Sequence, residues 1–131
     1  MSNQLSKPTV LSVDDSLIMQ QMIKRALDEH YTILLADNAV DALSVIYHEP
    51  ISGLLLDISM PGIDGLELCR TVRNLPQFKT LPIIMITSRS SDQDKQEGKQ
   101  AGATAYLTKP FNPKELRALI DQLVGDRVPS S

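Results

Sequence analysis

Short apolar runs and amphipathic stretches alternate five times along the chain. The runs lie at residues 10–13, 32–36, 53–56, 81–87 and 105–107 and are rich in Val, Ile and Leu. They lack the polar–apolar alternation of a strand with one wet face, so they predict strands buried on both faces, as in a parallel sheet covered by helices. Between them, apolar residues recur at helical spacing. Met19, Ile23, Ala26 and Leu27 form one stripe, and Ala39, Ala42, Leu43 and Ile46 a second. Leu68, Cys69, Val72 and Leu75 form a third, and Leu116, Leu119, Ile120 and Leu123 the last. Asp37 or Asn38 supplies a cap for the second helix, and Asn112-Pro113 opens the last with proline in its first turn.

The fourth intervening segment differs. Residues 92–101 read DQDKQEGKQA, with one apolar residue and an internal Gly98. Helices in proteins are held mainly by an apolar face, and glycine costs about 1 kcal/mol relative to alanine, so a marginal helix is predicted here.

Strands starting near residues 10, 32, 53, 82 and 104 give five βα units of 21 to 29 residues. Five units cannot close an eight-stranded barrel. The expected fold class is therefore α/β, an open five-stranded parallel sheet with helices on both faces. At 131 residues the chain has room for one core, placed at 8–125, with residues 1–7 and 126–131 expected as flexible ends.

Composition narrows the function classes. Hydrophobic residues make up 42% and charged residues 22%, enough for a packed core, but aromatics are 4% with no Trp, so that core must be aliphatic. A net charge of −3 argues against nucleic acid as a partner. Cys69 is the single cysteine, which excludes an internal disulfide framework and a multi-cysteine zinc site; on its helix it reads as a core residue. His30 and His48 fall near helix ends and receive no catalytic role. Residues 1–8 contain no apolar signal-peptide core and no apolar run is long enough to span a bilayer. A cytoplasmic protein without membrane insertion is expected.

Ligands of an open parallel sheet bind beyond the carboxyl ends of the strands, where strand order reverses. The residues leaving the strands here are Asp14-Asp15 on the first, Asp57 on the third, Thr87-Ser88 on the fourth and Lys109 on the fifth. With strand order 2-1-3-4-5, three carboxylates meet at the reversal, flanked by a hydroxyl and an ammonium. Uncompensated, they would raise one another's pKa. A divalent cation resolves the conflict, and an all-oxygen donor set suits Mg²⁺ or Mn²⁺ over zinc. Asp57 leaves an apolar strand for a loop of turn residues, Met60-Pro61-Gly62 and Asp64-Gly65. A carboxylate so placed, beside a cation, Lys109 and Thr87, is arranged to accept a phosphoryl group as an aspartyl-phosphate.

Val13-Asp14-Asp15-Ser16, Leu56-Asp57 with Met60-Pro61-Gly62-Ile63-Asp64-Gly65, Ile86-Thr87-Ser88, and Ala101-Gly102-Ala103 leading to Tyr106-Leu107-Thr108-Lys109-Pro110-Phe111 resemble the receiver domains of two-component response regulators. The resemblance covers roughly residues 8–125 and implies a flavodoxin-like, CheY-like fold. It implies Asp57 as phosphoacceptor, Asp15 as a direct Mg²⁺ ligand, Asp14 holding Mg²⁺ through water, and the backbone carbonyl of Ser59 as a further ligand. Lys109 would pair with the phosphoryl group, Thr87 would follow it on switching, Tyr106 would be the coupled aromatic, and Lys109-Pro110 would be cis. Ser59 and Arg89 occupy positions that influence phosphate lifetime.

The implied activity is phosphoryl transfer from a histidine kinase or phosphotransfer protein, followed by slow self-hydrolysis. No output domain follows Val124, so the expected output is contact with a target protein through the fourth helix, fifth strand and last helix. The chain reads as a complete protein, with a receiver excised from a larger regulator as the alternative. An Asp-nucleophile Mg²⁺ phosphatase is a further alternative, weakened because Ser stands at position 59 where that chemistry wants a second carboxylate. A flavin-binding module of the same architecture is disfavoured, since Asp14-Asp15 would repel its phosphate.

Overall fold

A computed structural model describes residues 7–58 and 65–125. The chain alternates strand and helix throughout: β1 (Thr9–Val13), α1 (Leu17–Leu27), β2 (Thr32–Ala36), α2 (Ala39–His48), β3 (Gly53–Asp57), α3 (Gly65–Arg73), β4 (Ile83–Thr87), α4 (Asp92–Ala101), β5 (Ala105–Thr108) and α5 (Pro113–Leu123). One turn of 3₁₀ helix, Pro76–Phe78, joins α3 to β4 and was not expected from the pattern. All strands are parallel, in the order β2-β1-β3-β4-β5. The order reverses between β1 and β3, as expected.

The strands sort their side chains by parity. Leu11, Val13, Leu54, Leu56, Ile83 and Met85 pack under α2, α3 and α4, together with Ala42, Ile46, Leu68, Cys69, Val72 and Ala101. Val10, Leu55, Ile84 and Ile86 face the opposite layer, where Ile23, Leu27, Leu116, Ile120 and Val124 of the α1/α5 side meet them. β3 and β4 are buried along their whole length, which is why their sequences are continuous apolar runs. The edge strands β2 and β5 are only partly covered. Among the described residues, no helix is long and apolar enough to cross a membrane.

The helix caps follow the sequence. Asn38, rather than Asp37, caps α2 by accepting from the Asp41 N–H. Asn112 and Glu115 form a reciprocal capping box at α5, behind Pro113. α4 is a full helix of ten residues even though it buries only Gly98 and Ala101. Three devices, two local and one tertiary, offset its thin apolar face. Ser91 and Asp94 form a capping box at its start, and Gly102 closes its end at φ 110°, a conformation that favours glycine. Arg73 of α3 then donates to the Gly102 carbonyl at 2.7 and 3.0 Å and to the Phe78 carbonyl at 2.7 Å, tying the end of α4 to the 3₁₀ turn.

Lys7 lies within the described residues and donates from its ammonium to the Asp28 carbonyl at 2.9 Å. The remainder of the expected flexible ends, and the loop 59–64 with Ser59 and Met60-Pro61-Gly62, lie outside the described residues.

Candidate functional site

The carboxyl end of β1 is built by two overlapping devices. The Asp14 N–H donates to the Ala36 carbonyl of β2 at 3.1 Å, extending the sheet one residue beyond β1. The Asp14 side chain turns back to accept from the Ser16 N–H at 2.8 Å, and Ser16 then caps α1 by accepting from the Met19 N–H at 3.2 Å. Asp14-Asp15-Ser16 is therefore a helix entry and an acidic cluster at once. Asp14 is buried, while Asp15 is exposed.

Asp57 is the last residue of β3, between β1 and β4, and is 6% exposed. One carboxylate oxygen from each of Asp14, Asp15 and Asp57 lies within 4.8 Å of the others. Lys109 reaches across from the end of β5, its Nζ 3.6 Å from Asp14 Oδ2 and 3.8 Å from Asp57 Oδ2. It is aimed there because its own N–H donates to the Thr87 carbonyl at 2.7 Å, carrying the β4–β5 pairing past the strand end. The Lys109-Pro110 bond is cis.

Thr87 ends β4 fully buried, and its Oγ1 accepts from the Arg89 N–H at 3.2 Å. Tyr106, half-buried on β5, donates from its hydroxyl to the Arg89 carbonyl at 3.0 Å. Both side chains thus hold the same residue of the β4–α4 loop. The Tyr106 ring lies against Gly98, where an added Cβ would stand 3.0 and 3.1 Å from two ring carbons. Burial raises the Tyr106 phenol, with Asp94 and Glu97 pushing the same way and Arg89 opposing.

Burial is also the largest influence on Asp14, and it raises the carboxyl above its ordinary value. The Ser16 N–H and Lys109 oppose that shift, while Asp57 and Asp15 reinforce it. Among the described residues, one ammonium faces these three carboxylates, which leaves the cluster acidic. Such a trio of oxygen donors fits a hard divalent cation: an octahedral Mg²⁺ holds oxygens at about 2.1 Å, so opposite ligands stand about 4 Å apart. The spacing of these carboxylates is on that scale, with water able to complete the shell.

The structure brings together Asp14, Asp15, Asp57 and Lys109, with Thr87 and Tyr106 one step away along β4 and β5. It also shows two further groups at this edge of the sheet. Gln20 of α1 is buried beneath the acid pair. Gly65 begins α3 hard against the end of β3. Gln20 sits on the apolar stripe of its helix one turn before Ile23, and a polar residue at a core position was the available signal.

The response regulator receiver domain family matches this chain over residues 10–121. The chain belongs to this family. Receiver domains are the signalling domains of two-component systems, and a receiver of this family is what the fold and the acidic strand ends describe. Among curated relatives, the transcriptional regulatory protein YvrH of Bacillus subtilis is 39% identical over 118 residues, covering 88% of this chain and 48% of that protein. A 14.6 kDa protein from the sodA1 3′ region of Leptolyngbya boryana is 38% identical over 119 residues, covering 90% of this chain and 91% of its own. The chain spans about half the length of regulators such as YvrH and MprA of Mycobacterium leprae. Among solved structures, the chemotaxis protein CheY4 of Vibrio cholerae superposes with a TM-score of 0.86 at 36% identity, covering 90% of this chain and 99% of that one. Receivers generally bind Mg²⁺ at an acidic cluster of the kind found here, and they interact with histidine kinases or phosphotransfer proteins and with downstream targets.

Proposed function

We propose that this receiver, folded from residues 8–125, accepts a phosphoryl group onto Asp57 from the phosphohistidine of a cytoplasmic histidine kinase or phosphotransfer protein. The observation that carries the reading is the placement of Lys109 between Asp14 and Asp57 at the reversal point of the sheet. An Asp57 oxygen attacks phosphorus, the bond from phosphorus to the donor nitrogen breaks with its electron pair going to nitrogen, and the donor histidine, already protonated on its other ring nitrogen, leaves as the neutral imidazole. Asp14, Asp15, Asp57 and the carbonyl of Ser59 would hold the divalent cation, Mg²⁺ or Mn²⁺, which when bound supplies positive charge for the phosphoryl oxygens. Lys109 supplies more of that charge from the other side, exchanging its carboxylate contacts for a phosphoryl oxygen. Water returns the protein to its starting state by slow hydrolysis of the acyl phosphate.

Thr87 converts the covalent change into a movement. Its hydroxyl can donate to a phosphoryl oxygen, and turning toward Asp57 draws Oγ1 from the Arg89 N–H that it now accepts from. Arg89 is also the residue that Tyr106 holds through its carbonyl, so a shift of Thr87 loosens Tyr106 as well. The first turns of α4 bury nothing against the core, which makes this segment the cheapest part of the fold to move. The partner surface is then formed by α4, β5 and α5, and output is protein contact.

Incubation with acetyl phosphate and Mg²⁺ is expected to give one phosphoryl adduct by intact mass, absent from Asp57→Asn. An adduct retained in that variant overturns the assignment, as does a wild type that takes none. Hydrogen exchange with and without beryllofluoride is expected to change most across residues 88–101 and at Tyr106. Unchanged protection there, with change confined to other segments, refutes the proposed output face.

A further inference from the structure

α1 presents Gln20, Ile23 and Leu27 to the core, so one of its three buried positions carries a carboxamide. Gln20 is 4% exposed. Its Nε2 lies 3.0 Å from the Ala36 carbonyl, 3.1 Å from the Asp14 carbonyl and 3.2 Å from the Ser12 carbonyl. Its Oε1 accepts from the Ser12 hydroxyl at 2.6 Å, which sets which end of the amide faces the carbonyls. Two N–H groups are thus shared among three acceptors, all on the last residues of β1 and β2 or just past them.

Two of those contacts converge on the acid pair. The Ala36 carbonyl also receives the Asp14 N–H, so β2 and Gln20 hold Asp14 from both ends of its backbone. A peptide unit is planar, and fixing the Asp14 carbonyl fixes the plane that leads into Asp15. Ser16 is held beyond it, by its N–H on the Asp14 carboxylate and by its cap on α1. Asp15 is the exposed member of the trio, so its carboxylate takes its direction from this backbone rather than from packing.

We propose that Gln20 is a positioning residue for the cation site: its carboxamide fixes the peptide between Asp14 and Asp15 and so holds the Asp15 carboxylate toward those of Asp14 and Asp57. The proposal rests on the reading of these three acids as a divalent-cation site. The competing role is that of a filler which merely satisfies buried carbonyls; that role affects stability alone.

Gln20→Met keeps the length of the side chain and removes both donors. By calorimetric titration of the folded protein, Gln20→Met is expected to bind Mg²⁺ about ten-fold or more weakly than wild type, the scale on which groups that orient metal ligands act. In the metal-free protein, the Asp15 and Ser16 amides are expected to exchange faster. The rate of adduct formation from acetyl phosphate should recover as Mg²⁺ is raised, since Asp57 is untouched. Tyr31→Phe, which removes a 2.6 Å hydrogen bond to Asp121 at the amino end of β2, the end of the sheet away from the acids, serves as the destabilised control with wild-type Mg²⁺ affinity.

Gln20→Met that melts lower but binds Mg²⁺ like wild type overturns the proposal, and so does a phosphorylation rate that stays low at saturating Mg²⁺. A wild type that binds no Mg²⁺ overturns the cation-site reading itself. Should Gln20→Met fail to fold, Ser12→Ala removes only the hydroxyl that orients the amide. It is expected to weaken Mg²⁺ binding measurably with the fold intact, and unchanged binding in it also overturns the proposal.

Discussion

Magnesium is expected to raise the melting temperature of the wild-type protein and to leave that of Asp15→Ala nearly flat. Among the described residues, three carboxylates share one strand edge with a single ammonium close by, and the unfolded chain disperses them. A cation held there would favour the folded state and stabilise it by RT ln(1 + [Mg²⁺]/Kd), about 1.4 kcal/mol at ten times Kd. For a domain of this size that corresponds to roughly 4–6 °C. The same crowding predicts the behaviour of the metal-free protein. Burial raises the Asp14 carboxyl above its ordinary value, so the fold disfavours its charged form. Its contribution is most favourable below the ordinary carboxylate pKa and is lost as pH rises through the raised one. Asp14→Asn keeps an oxygen for the Ser16 N–H and carries no charge. It is expected to be more stable than metal-free wild type at pH 7, with the advantage shrinking as pH falls through the raised Asp14 pKa toward the ordinary carboxylate value of about 4. Thermal melts across a magnesium titration and a pH series check both. A flat wild-type response, or an equal rise in Asp15→Ala, means that these acids hold no metal.

Gly65→Ala is expected to cost about 3 kcal/mol or more, a large share of the roughly 5–15 kcal/mol that holds a domain together. A Cβ at Gly65 would meet the Asp57 carbonyl oxygen, and would stand 2.7 Å from Ile58 Cα and 2.9 Å from the Asp57 carbonyl carbon. These are backbone atoms, so no rotamer change relieves the overlap; β3 and α3 must part. The Gly65 N–H donates to the Ile58 carbonyl at 3.1 Å, and that bond goes with them. Because the strain falls on Asp57 itself, phosphoryl acceptance should drop with stability. Gly98→Ala makes the contrast. There the crowded atoms are ring carbons of Tyr106, which can swing aside, and alanine favours the helix by about 1 kcal/mol. Its stability should change little. Urea unfolding of the two variants separates the cases, and a Gly65→Ala loss under about 1 kcal/mol would contradict the close approach of α3 to β3.

Strands buried on both faces must be apolar throughout, so β3 and β4 announced themselves as unbroken runs and their charged or hydroxyl-bearing ends stood out against them. Asp14, Asp57, Thr87 and Lys109 were legible for that reason: each is the polar residue at which an apolar strand stops. Five βα units in one short chain left an open parallel sheet as the remaining architecture. The residues between, from Met60 to Asp64, carried turn chemistry and a family resemblance, and they lie outside the described residues. Boundaries were less legible, because a proline such as Pro82 and a strand-ending Asp57 fit strand and loop alike until pairing partners are known.

The sequence by itself determined the local terms: strand and helix periods, the Asn112 cap and the cap of α2 to within Asp37 or Asn38, and the polar residues at the strand ends. These depend on neighbours within a turn or two. Tertiary structure alone decided which groups meet across the chain. Gly98 read as a weakness of α4 and proved to be the space that the Tyr106 ring occupies, and Arg73 closes on Gly102, 29 residues away. Gln20 interrupts an apolar stripe because the carbonyl of Ala36, 16 residues on, comes to lie beside it. The burial that raises Asp14 while Asp15 stays exposed has the same origin, since adjacent residues share a sequence environment but not a position in the packed fold. Hydrogen-bond satisfaction and desolvation are properties of a packed site, and no periodicity along the chain encodes them.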